Sequence, residues 1–371
     1  MTNVSVNKNQ LIYLVYGPDA AYHAEARFSI LSALYRSKAK PDFEIHVYTD
    51  APLYYEGLPV QVKALSSETL EQWYGPLRYH HRAKLCLLQH AAPLTEKTVF
   101  IDTDTFFLRD PALLFAVVNA KTCVVDELYN SALPVLTASN TDVAALLDQY
   151  GINPQKIPVI NSGLFGIARS NSPVLGMAMA LNDAVYPASN RSITTEQLVL
   201  GMAAATKTAL VADDAVIKHY WSRKQLFRAK AFAFLDKHGV NWDSDIARTD
   251  FLQVSPVLPK PPALVRVFAK LMAMLVIKQE RQLLLELFYG CYPYRNEFDR
   301  ACHTVWQQKA VDNYLEKIQN LEKTEHLEKK YLEKTKPASV DKCRLANNLV
   351  ARALLGKTLL ERAISQINAA K

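Results

Sequence analysis

Short apolar runs alternate with segments of helical periodicity along the first ~220 residues. The apolar runs predict buried strands, which are Leu11–Tyr16, Phe43–Thr49, Thr98–Ile101, Val159–Ile167 and Thr208–Ala212. The intervening segments predict helices, one capped by Asp19 and running through Leu34, the others being Arg78–Ala91, Ser172–Val185 and Thr194–Ala204. Strands that alternate with helices form mostly parallel sheets with helices on both faces, so the pattern predicts an α/β domain. Ligands of such sheets bind at the carboxyl ends of the strands.

Beyond about Ser222 the pattern becomes helical, which predicts an α/β domain over residues 1–235 and a helical region over residues 236–371. An apolar segment from Ala263 follows a cluster of prolines, and Arg266, Lys270 and Lys278 form one polar stripe along it. One interpretation is a helix packed on the first domain with its stripe in water. The other is a helix that lies on an anionic lipid surface, with its basic side chains reaching the headgroups.

The tripeptide Leu-Glu-Lys occurs four times between Leu315 and Lys334. Its first spacings are six residues, so successive leucines do not share a helix face and form no heptad seam. The segment therefore predicts a solvated, salt-bridged helix, the alternative being an arm for self-association.

The excess of basic residues lies in only one part of the chain. The chain has 371 residues and a formal net charge of +7, but residues 1–250 carry 23 basic and 24 acidic side chains. Residues 251–371 carry 20 basic and 12 acidic side chains, so the excess belongs to the helical region. That region has no motif for base recognition, so we expect no nucleic-acid partner, whereas contact with an anionic membrane surface suits it.

The spacing of the cysteines and the length of the apolar runs indicate the cellular compartment of the protein. The chain has five cysteines with no C-x-x-C spacing, which favours a reducing compartment over a disulfide framework or a zinc ribbon. The polar N-terminus lacks a signal-peptide pattern, and no apolar run approaches the roughly 20 residues of a spanning helix. We therefore expect a cytoplasmic protein, with peripheral contact at the inner face of the cytoplasmic membrane as an option.

The segment TVFIDTDTFFLRD contains the clearest candidate chemistry. A buried strand runs into Asp102-Thr103-Asp104, and alternation along an extended chain points Asp102 and Asp104 the same way. Two carboxylates at the carboxyl end of a strand suit Mg²⁺ or Mn²⁺. A divalent ion there would neutralise the charge that develops on a diphosphate leaving group.

From Leu11 to Trp221 the sequence resembles the GT-A nucleotide-sugar glycosyltransferases. It is most similar to the retaining family that contains glycogenin and the bacterial lipopolysaccharide galactosyl- and glucosyltransferases. The similar segments follow one another in the expected order, and they are LIYLVYG, YHHRAKLCLLQH, VFIDTDTFFLRDPALLF, VINSGLFGIARS, TEQLVLG and IKHYW. The resemblance implies a Rossmann-like mixed sheet flanked by helices, and a metal-dependent transfer of a sugar.

The resemblance also assigns residues. It implies a metal site of Asp102, Asp104 and His219, and an imidazole ligand favours Mn²⁺ over Mg²⁺. It makes Gln197 and Glu196 the catalytic candidates, with Glu196 on hydroxyls of the donor sugar and Gln197 beside the anomeric carbon. The remaining donor-binding candidates are Tyr16, Gly17, Asp50, Arg82, Lys84, Asp102, Thr103, Asn161, Ser162 and Gly163. Arg82 and Lys84 lie on different faces of one helix, so only one of them, preferably Lys84, is expected at the phosphates or the sugar.

Two departures from the family pattern concern the donor. Glu196 stands where the family usually has Asp, and the glycine- and lysine-containing stretch that usually follows the histidine is absent after His219. The implied reaction moves a sugar, a hexose of a uridine diphosphate donor, to a glycan or lipid-linked acceptor. The family likeness implies retention of the anomeric configuration by a front-face route, in which the leaving phosphate assists.

Two other functions remain open at this point. An aspartate-nucleophile phosphatase also begins with an apolar strand and a D-x-D pair, which would make Asp102 the nucleophile and Asp213-Asp214 the distal acidic pair. Against it, Phe106 stands where those enzymes prefer Thr or Val, and the motif lies behind two earlier strands. The second is a non-catalytic, membrane-associated scaffold in which the basic helical region is the working part.

Overall fold

The structure, a computed structural model, describes residues 8–129, 141–153, 156–213, 215–274 and 280–316. The chain folds as two compact units, of which the first ends at Ser222 and the second begins at Arg223. No helix of the described residues is long and apolar enough to cross a bilayer. Most of the Leu-Glu-Lys repeats, together with Lys278 and Asp214, lie outside the described residues.

A seven-stranded mixed sheet forms the centre of the first unit, in the order β3-β2-β1-β4-β7-β6-β8, and β5 and β9 form a small second sheet. The strands are β1 (Asn9–Val15), β2 (Phe43–Thr49), β3 (Gln61–Ala64), β4 (Lys97–Ile101), β5 (Thr105–Phe107), β6 (Thr122–Tyr129), β7 (Val159–Ala168), β8 (Ala209–Ala212) and β9 (Ile217–His219). Pairings within the large sheet are parallel except those of β7, which runs antiparallel to both β4 and β6.

The reversal of β7 decides which residues meet at the sheet edge. Ile101, the last residue of β4, pairs with Leu164 of β7. The residues that precede Leu164 therefore lie beside the carboxyl end of β4. Gly166 allows β7 to sit close to its neighbours, since an added Cβ would lie 2.5 Å from Val124 Cγ1 and 2.7 Å from Val118 Cγ2.

Helices cover the sheet and continue into the second unit. They are α1 (Ala20–Arg36), α2 (Ser67–Tyr74), α3 (Arg82–Ala91), α4 (Ala112–Val117), α5 (Thr141–Gln149), α6 (Val174–Ala188), α7 (Thr195–Ala205), α8 (Lys224–His238), α9 (Asp245–Phe251), α10 (Ala263–Ala273), α11 (Arg281–Cys291), α12 (Glu297–Arg300) and α13 (303–316). The main core of the first unit packs apolar side chains of α3, α6 and α7 against those of the central strands.

The predicted α/β class, a mixed sheet flanked by helices, is confirmed. So is the predicted cap of α1, because the Asp19 side chain accepts a hydrogen bond from the N–H of Ala21 at 2.9 Å. The predicted start of α3 at Arg78 is wrong. Arg78 has a φ of +50°, a left-handed conformation that a helix cannot contain, and α3 begins at Arg82.

The second unit is helical over its described residues, and a buried lysine ties its segments together. Lys230 of α8 donates to the carbonyls of Ser255 at 3.0 Å and Val257 at 2.8 Å, and its Nζ lies 2.7 Å from a carboxylate oxygen of Asp299. Because these partners replace the water that a buried ammonium loses, the lysine holds the proline-rich connection against α8 and α12.

Candidate active site and metal centre

The loop from Asp102 to Asp104 is held on both sides. The N–H of Asp102 donates to the carbonyl of Gly163 at 2.8 Å, which continues the β4–β7 pairing past the end of β4. Thr105 Oγ1 donates to the carbonyl of Asp102 at 2.8 Å, and the N–H of Tyr220 donates to the carbonyl of Asp104 at 3.0 Å. These bonds fix the backbone that carries the two carboxylates at the edge of the sheet.

Asp102, Asp104 and His219 converge at this loop. One ligand atom of each lies within 4.8 Å of the others. Residue pairing brings the histidine there, because Thr105 of β5 is opposite His219 of β9. His219 Nε2 lies 3.4 Å from Asp104 Oδ1. Two carboxylates and an imidazole at this spacing form a donor set that suits a divalent cation of the Mn²⁺ type.

Asp126 holds the other side of the imidazole, and the sequence interpretation missed it. His219 Nδ1 hydrogen-bonds Asp126 Oδ2 at 2.6 Å, which leaves Nε2 for the D-x-D side. The pairing of β6 with β7 is irregular between Val125 and Glu127, and this bulge carries Asp126. An apolar run that ends in Asp, as in CVVDELY, repeats the VFID pattern and is the sequence signal for this residue.

The carboxylates around His219 favour a positive charge there. Burial disfavours the imidazolium, but the hydrogen bonds with Asp104 and Asp126 outweigh burial and raise the pKa of His219 to about 10. Because the surroundings stabilise a cation this strongly, and because the donors are carboxylate oxygens and an imidazole nitrogen, the residues fit a divalent metal ion.

Gly163 provides the surface on which His219 rests. A Cβ at this position would lie 2.3 Å from His219 Cε1 and 2.4 Å from Nδ1. No side chain fits there unless the imidazole moves. Asn161, two residues earlier in β7, is half-buried, and its Oδ1 accepts the N–H of Gly163 at 3.0 Å.

Lys84 is the basic residue that α3 directs into the site. Its Nζ lies 3.1 Å from Asp102 Oδ1 and donates to the Ser162 hydroxyl at 3.1 Å and the Ser162 carbonyl at 3.2 Å. Burial disfavours its charge, but Asp102 and Glu196 outweigh burial and raise the pKa of Lys84. The ammonium is therefore charged and fixed beside the D-x-D pair.

Glu196, in the first turn of α7, completes the buried group that contains Lys84 and Ser162. Its Oε2 accepts from the Ser162 hydroxyl at 3.1 Å and lies 3.7 Å from Lys84 Nζ. Its Oε1 is buried without a hydrogen-bond partner among the described residues. Burial, with a contribution from the charge of Asp102, raises the pKa of Glu196 to about 7. The Tyr79 hydroxyl accepts the N–H of Glu196 at 3.1 Å, so a distant side chain caps α7.

Three predicted donor residues contribute differently. Arg82 is turned away from Lys84 and forms a bidentate pair with Asp183 of α6, at 2.7 and 2.9 Å. Thr103 lies half-buried between the two aspartates. The Gln197 side chain is half-buried and makes no hydrogen bond to another residue in the described part of the chain.

Tyr16, Gly17 and Asp50 meet at the carboxyl ends of β1 and β2. Gly17 has a φ of +93°, and its N–H donates to Asp50 Oδ2 at 3.0 Å. The Tyr16 hydroxyl donates to the carbonyl of His80 at 3.0 Å, and burial raises the pKa of Tyr16. Asp50 thus ties the loop after β1 to the end of β2, on the same edge as the D-x-D loop.

Of the acidic pair in the phosphatase alternative, Asp213 is described, and Asp214 lies outside the described residues. Asp213 Oδ1 accepts the N–H groups of Ala215 at 2.9 Å and Val216 at 3.0 Å, so this carboxylate caps the turn that leads into β9. Asp102 in turn is paired with Lys84 and lies in the ligand cluster.

Comparison with known proteins gives a similarity of structure only. Neither a protein-family model nor a curated protein sequence matches the chain. The chain is similar to mouse xyloside xylosyltransferase 1 in its apo form, with a TM-score of 0.40 and 10% identity over 58% of this chain and 99% of that one. It is also similar to the apo structure of the bifunctional glycosyltransferase WbbM, with a TM-score of 0.39 and 12% identity over 57% of this chain and 40% of that one. These values say nothing about the substrate.

Proposed function

We propose that the protein is a metal-dependent glycosyltransferase of the retaining GT-A type, which moves a hexose from a uridine diphosphate sugar to a glycan or lipid-linked acceptor. The observation that carries the proposal is the convergence of Asp102, Asp104 and His219 at the carboxyl end of β4, beside a buried lysine. This arrangement combines a cation site with a fixed positive charge, which is what a diphosphate leaving group requires.

Asp102, Asp104 and His219 would hold the metal, for which Mn²⁺ is the first choice. A bound ion of this kind supplies positive charge to the two phosphates of the donor. Asp126 keeps the Nε2 side of His219 directed to the D-x-D pair, so the imidazole needs little rearrangement on binding. Thr103, between the two aspartates, is proposed to contact the donor through the same loop.

Lys84 is the proposed electrostatic residue for the reaction. Its ammonium is held by Ser162, Asp102 and Glu196, so it is already oriented when negative charge develops on the leaving diphosphate. A fixed charge stabilises such a transition state more than one that must first reorganise. Arg82 has the same charge, but it is held by Asp183.

The sugar is proposed to lie along Asn161, Ser162 and Gly163 of β7, with the carboxyl group of Glu196 available to its hydroxyls. The unpartnered Oε1 of Glu196 supports this placement, since a sugar hydroxyl can donate to it. Gln197 follows in the same helical turn and is proposed to lie beside the anomeric carbon. Because its amide is not ionised, we infer a front-face route in which the leaving phosphate accepts the proton of the acceptor hydroxyl.

The base and ribose of the donor are proposed to bind where β1 and β2 end. Gly17 leaves room above the backbone, since nothing lies within 4 Å of an added Cβ, and Tyr16 and Asp50 line the same edge. The acceptor is proposed to be presented at an anionic membrane surface, in keeping with the excess of basic residues after residue 250. A cytoplasmic enzyme at the inner face of the membrane would meet such an acceptor.

A thermal-shift panel of nucleoside diphosphates and their sugars, with and without Mn²⁺, tests the proposal. A ligand that binds the folded state raises the melting temperature, so we expect a shift with uridine diphosphate that requires Mn²⁺. Asp104→Asn should abolish the metal-dependent part, whereas Glu71→Gln, which changes an exposed carboxylate paired with Arg78, should preserve it. The proposal fails if no nucleotide shifts the wild-type protein, or if Asp104→Asn responds like it.

Product analysis separates transfer from the alternatives. Incubation with donor and a candidate glycan should yield a glycoside with the anomeric configuration of the donor, measured by NMR. An inverted product would refute the front-face route. Release of phosphate from a simple phosphomonoester, blocked by Asp102→Asn, would instead support the phosphatase.

A further inference from the structure

Helix α10 of the second unit buries its small residues and exposes its large ones. Ala269 and Ala273 are only 9% and 5% exposed. Five large apolar side chains are between 49% and 86% exposed, and we call them the α10 apolar face: Leu264, Val267, Phe268, Leu271 and Met272. An amphipathic helix of a water-soluble domain does the opposite, because its apolar stripe faces the core.

The α10 apolar face is continuous. At about 100° and 1.5 Å per residue, its five side chains fall within an arc of roughly 140° over a length of about 12 Å. Ala269 and Ala273 lie on the opposite side of the helix, which is why the packed side is narrow. An apolar surface of this kind in water is unfavourable, so it predicts an apolar partner.

The charged residues of the sequence segment around α10 are all basic. From Phe251 to Gln279 the sequence has no acidic residue, and it has four basic ones, which are Lys260, Arg266, Lys270 and Lys278. Lys270 is exposed and lies at one border of the face, whereas Arg266 is half-buried on the packed side of α10, with Ala269 and Ala273. Long basic side chains at the border of an apolar face can reach anionic headgroups while the face enters the acyl boundary.

We propose that the α10 apolar face lies in the plane of an anionic lipid bilayer and docks the protein there. A second copy of the chain is a poorer partner, because pairing two such faces would bring the Lys270 side chains of both copies together. Residues 317–371 are also a poorer partner, since they carry 12 basic against 6 acidic side chains and do not complement the charge. The inference deepens the membrane part of the proposed function but depends on α10 and not on the sugar chemistry.

Vesicle sedimentation of the full chain tests the inference, with phosphatidylcholine vesicles that contain or lack phosphatidylglycerol. We expect binding only to the anionic vesicles, weakened by salt. Leu271→Glu should reduce it about tenfold or more, since a leucine that enters the bilayer is replaced by a charge. Leu94→Glu is the matched control, because Leu94 is 57% exposed in the first unit. Equal binding of Leu271→Glu and wild type would overturn the proposal, as would no binding to either kind of vesicle.

The Phe268→Trp variant shows which partner covers the α10 apolar face. The emission of the new tryptophan is obtained as the difference between the fluorescence spectra of the variant and the wild type. We expect emission typical of an exposed tryptophan in solution and a blue shift on adding anionic vesicles. A blue-shifted difference spectrum in the lipid-free monomer would mean that the chain covers its own face and would overturn the proposal. A blue shift that depends on protein concentration, with dimers in sedimentation, would overturn it in favour of a second copy. Neither experiment uses nucleotide, so its failure leaves the transferase proposal standing, and failure of nucleotide binding leaves the docking result unchanged.

Discussion

The Gly163→Ala variant tests whether the close contact between β7 and His219 creates the metal site. The added methyl group would lie 2.3 Å from His219 Cε1, whereas carbon atoms in contact lie about 3.5 Å or more apart. The imidazole must therefore move by about 1 Å. Its Nδ1 would then lose the 2.6 Å hydrogen bond with Asp126, and Nε2 would leave its position beside Asp104.

The displaced imidazole should lower both the stability of the protein and its affinity for the metal. Overpacking a filled site costs about 1–3 kcal/mol in the free energy of unfolding. Loss of the partner that orients a metal-binding histidine lowers metal affinity by about 10- to 100-fold. We therefore expect Gly163→Ala to be less stable in chemical denaturation and to bind Mn²⁺ more weakly in calorimetric titration.

Gly176→Ala is the matched control. Gly176 lies in α6, and the nearest atom to an added Cβ there is Gln89 Nε2 at 3.8 Å, an ordinary contact. The same change of side chain should be neutral, or stabilising by up to about 1 kcal/mol, with unchanged Mn²⁺ affinity. Wild-type stability and Mn²⁺ affinity in Gly163→Ala would refute the reasoning.

The double variant Gly163→Ala/His219→Ala separates the clash from the ligand. Removal of the imidazole opens the space that the new methyl group needs, so the two changes should not be additive in stability. We expect the double variant to be no less stable than His219→Ala alone, while Mn²⁺ binding stays weak in both. Additive losses would show that Gly163 acts through something other than His219.

Four further predictions concern the charged groups. Asp126→Asn should weaken Mn²⁺ binding about 10- to 100-fold in calorimetry at nearly unchanged far-UV circular dichroism, and unchanged affinity would contradict the orienting contact. The pKa of His219 is raised from 6.5 to about 10, so its contribution to stability is complete below pH 6.5 and is lost as the pH rises to about 10. The melting temperature of the metal-free protein should therefore fall progressively over that window, and His219→Gln should flatten the profile. Because the pKa of Glu196 is raised from 4.5 to about 7, Glu196→Gln should gain stability over wild type at pH 8 but not at pH 4, measured by calorimetry; an equal difference at both would be the contrary result. Lys84→Met should cost about 3–5 kcal/mol in denaturant unfolding, because the carboxylates beside it lose their buried partner, and a loss below 1 kcal/mol would exclude that role.

The strand pattern predicted much of the first unit because its strands are continuous apolar runs. The predicted strand Phe43–Thr49 coincides with β2, and the predicted Thr98–Ile101 differs from β4 by one residue. Strands β3, β5, β6 and β9 escaped prediction. Strand β3 is largely exposed and β5 and β9 have only three residues each, so none gives a long apolar run. Because Asp126 lies in β6, it escaped prediction together with that strand.

The sequence by itself determined the α/β class, because apolar runs and helical periodicity follow from local backbone geometry. It also showed that Asp102 and Asp104 follow a buried strand, but hydrogen bonds of their loop to Gly163 and Tyr220 hold the two carboxylates together. Only the tertiary structure decided what surrounds them. The reversal of β7 puts Gly163 under His219, and the bulge in β6 brings Asp126 to a histidine 93 residues away.

The same distinction applies to α10. Its periodicity showed two faces, but only packing decided that Ala269 and Ala273 face inward and Leu271 outward. Local pattern fixes which residues share a face or a strand, because that depends on backbone geometry alone. Which faces and strands meet depends on the packing of segments far apart in sequence, and no short segment carries that information.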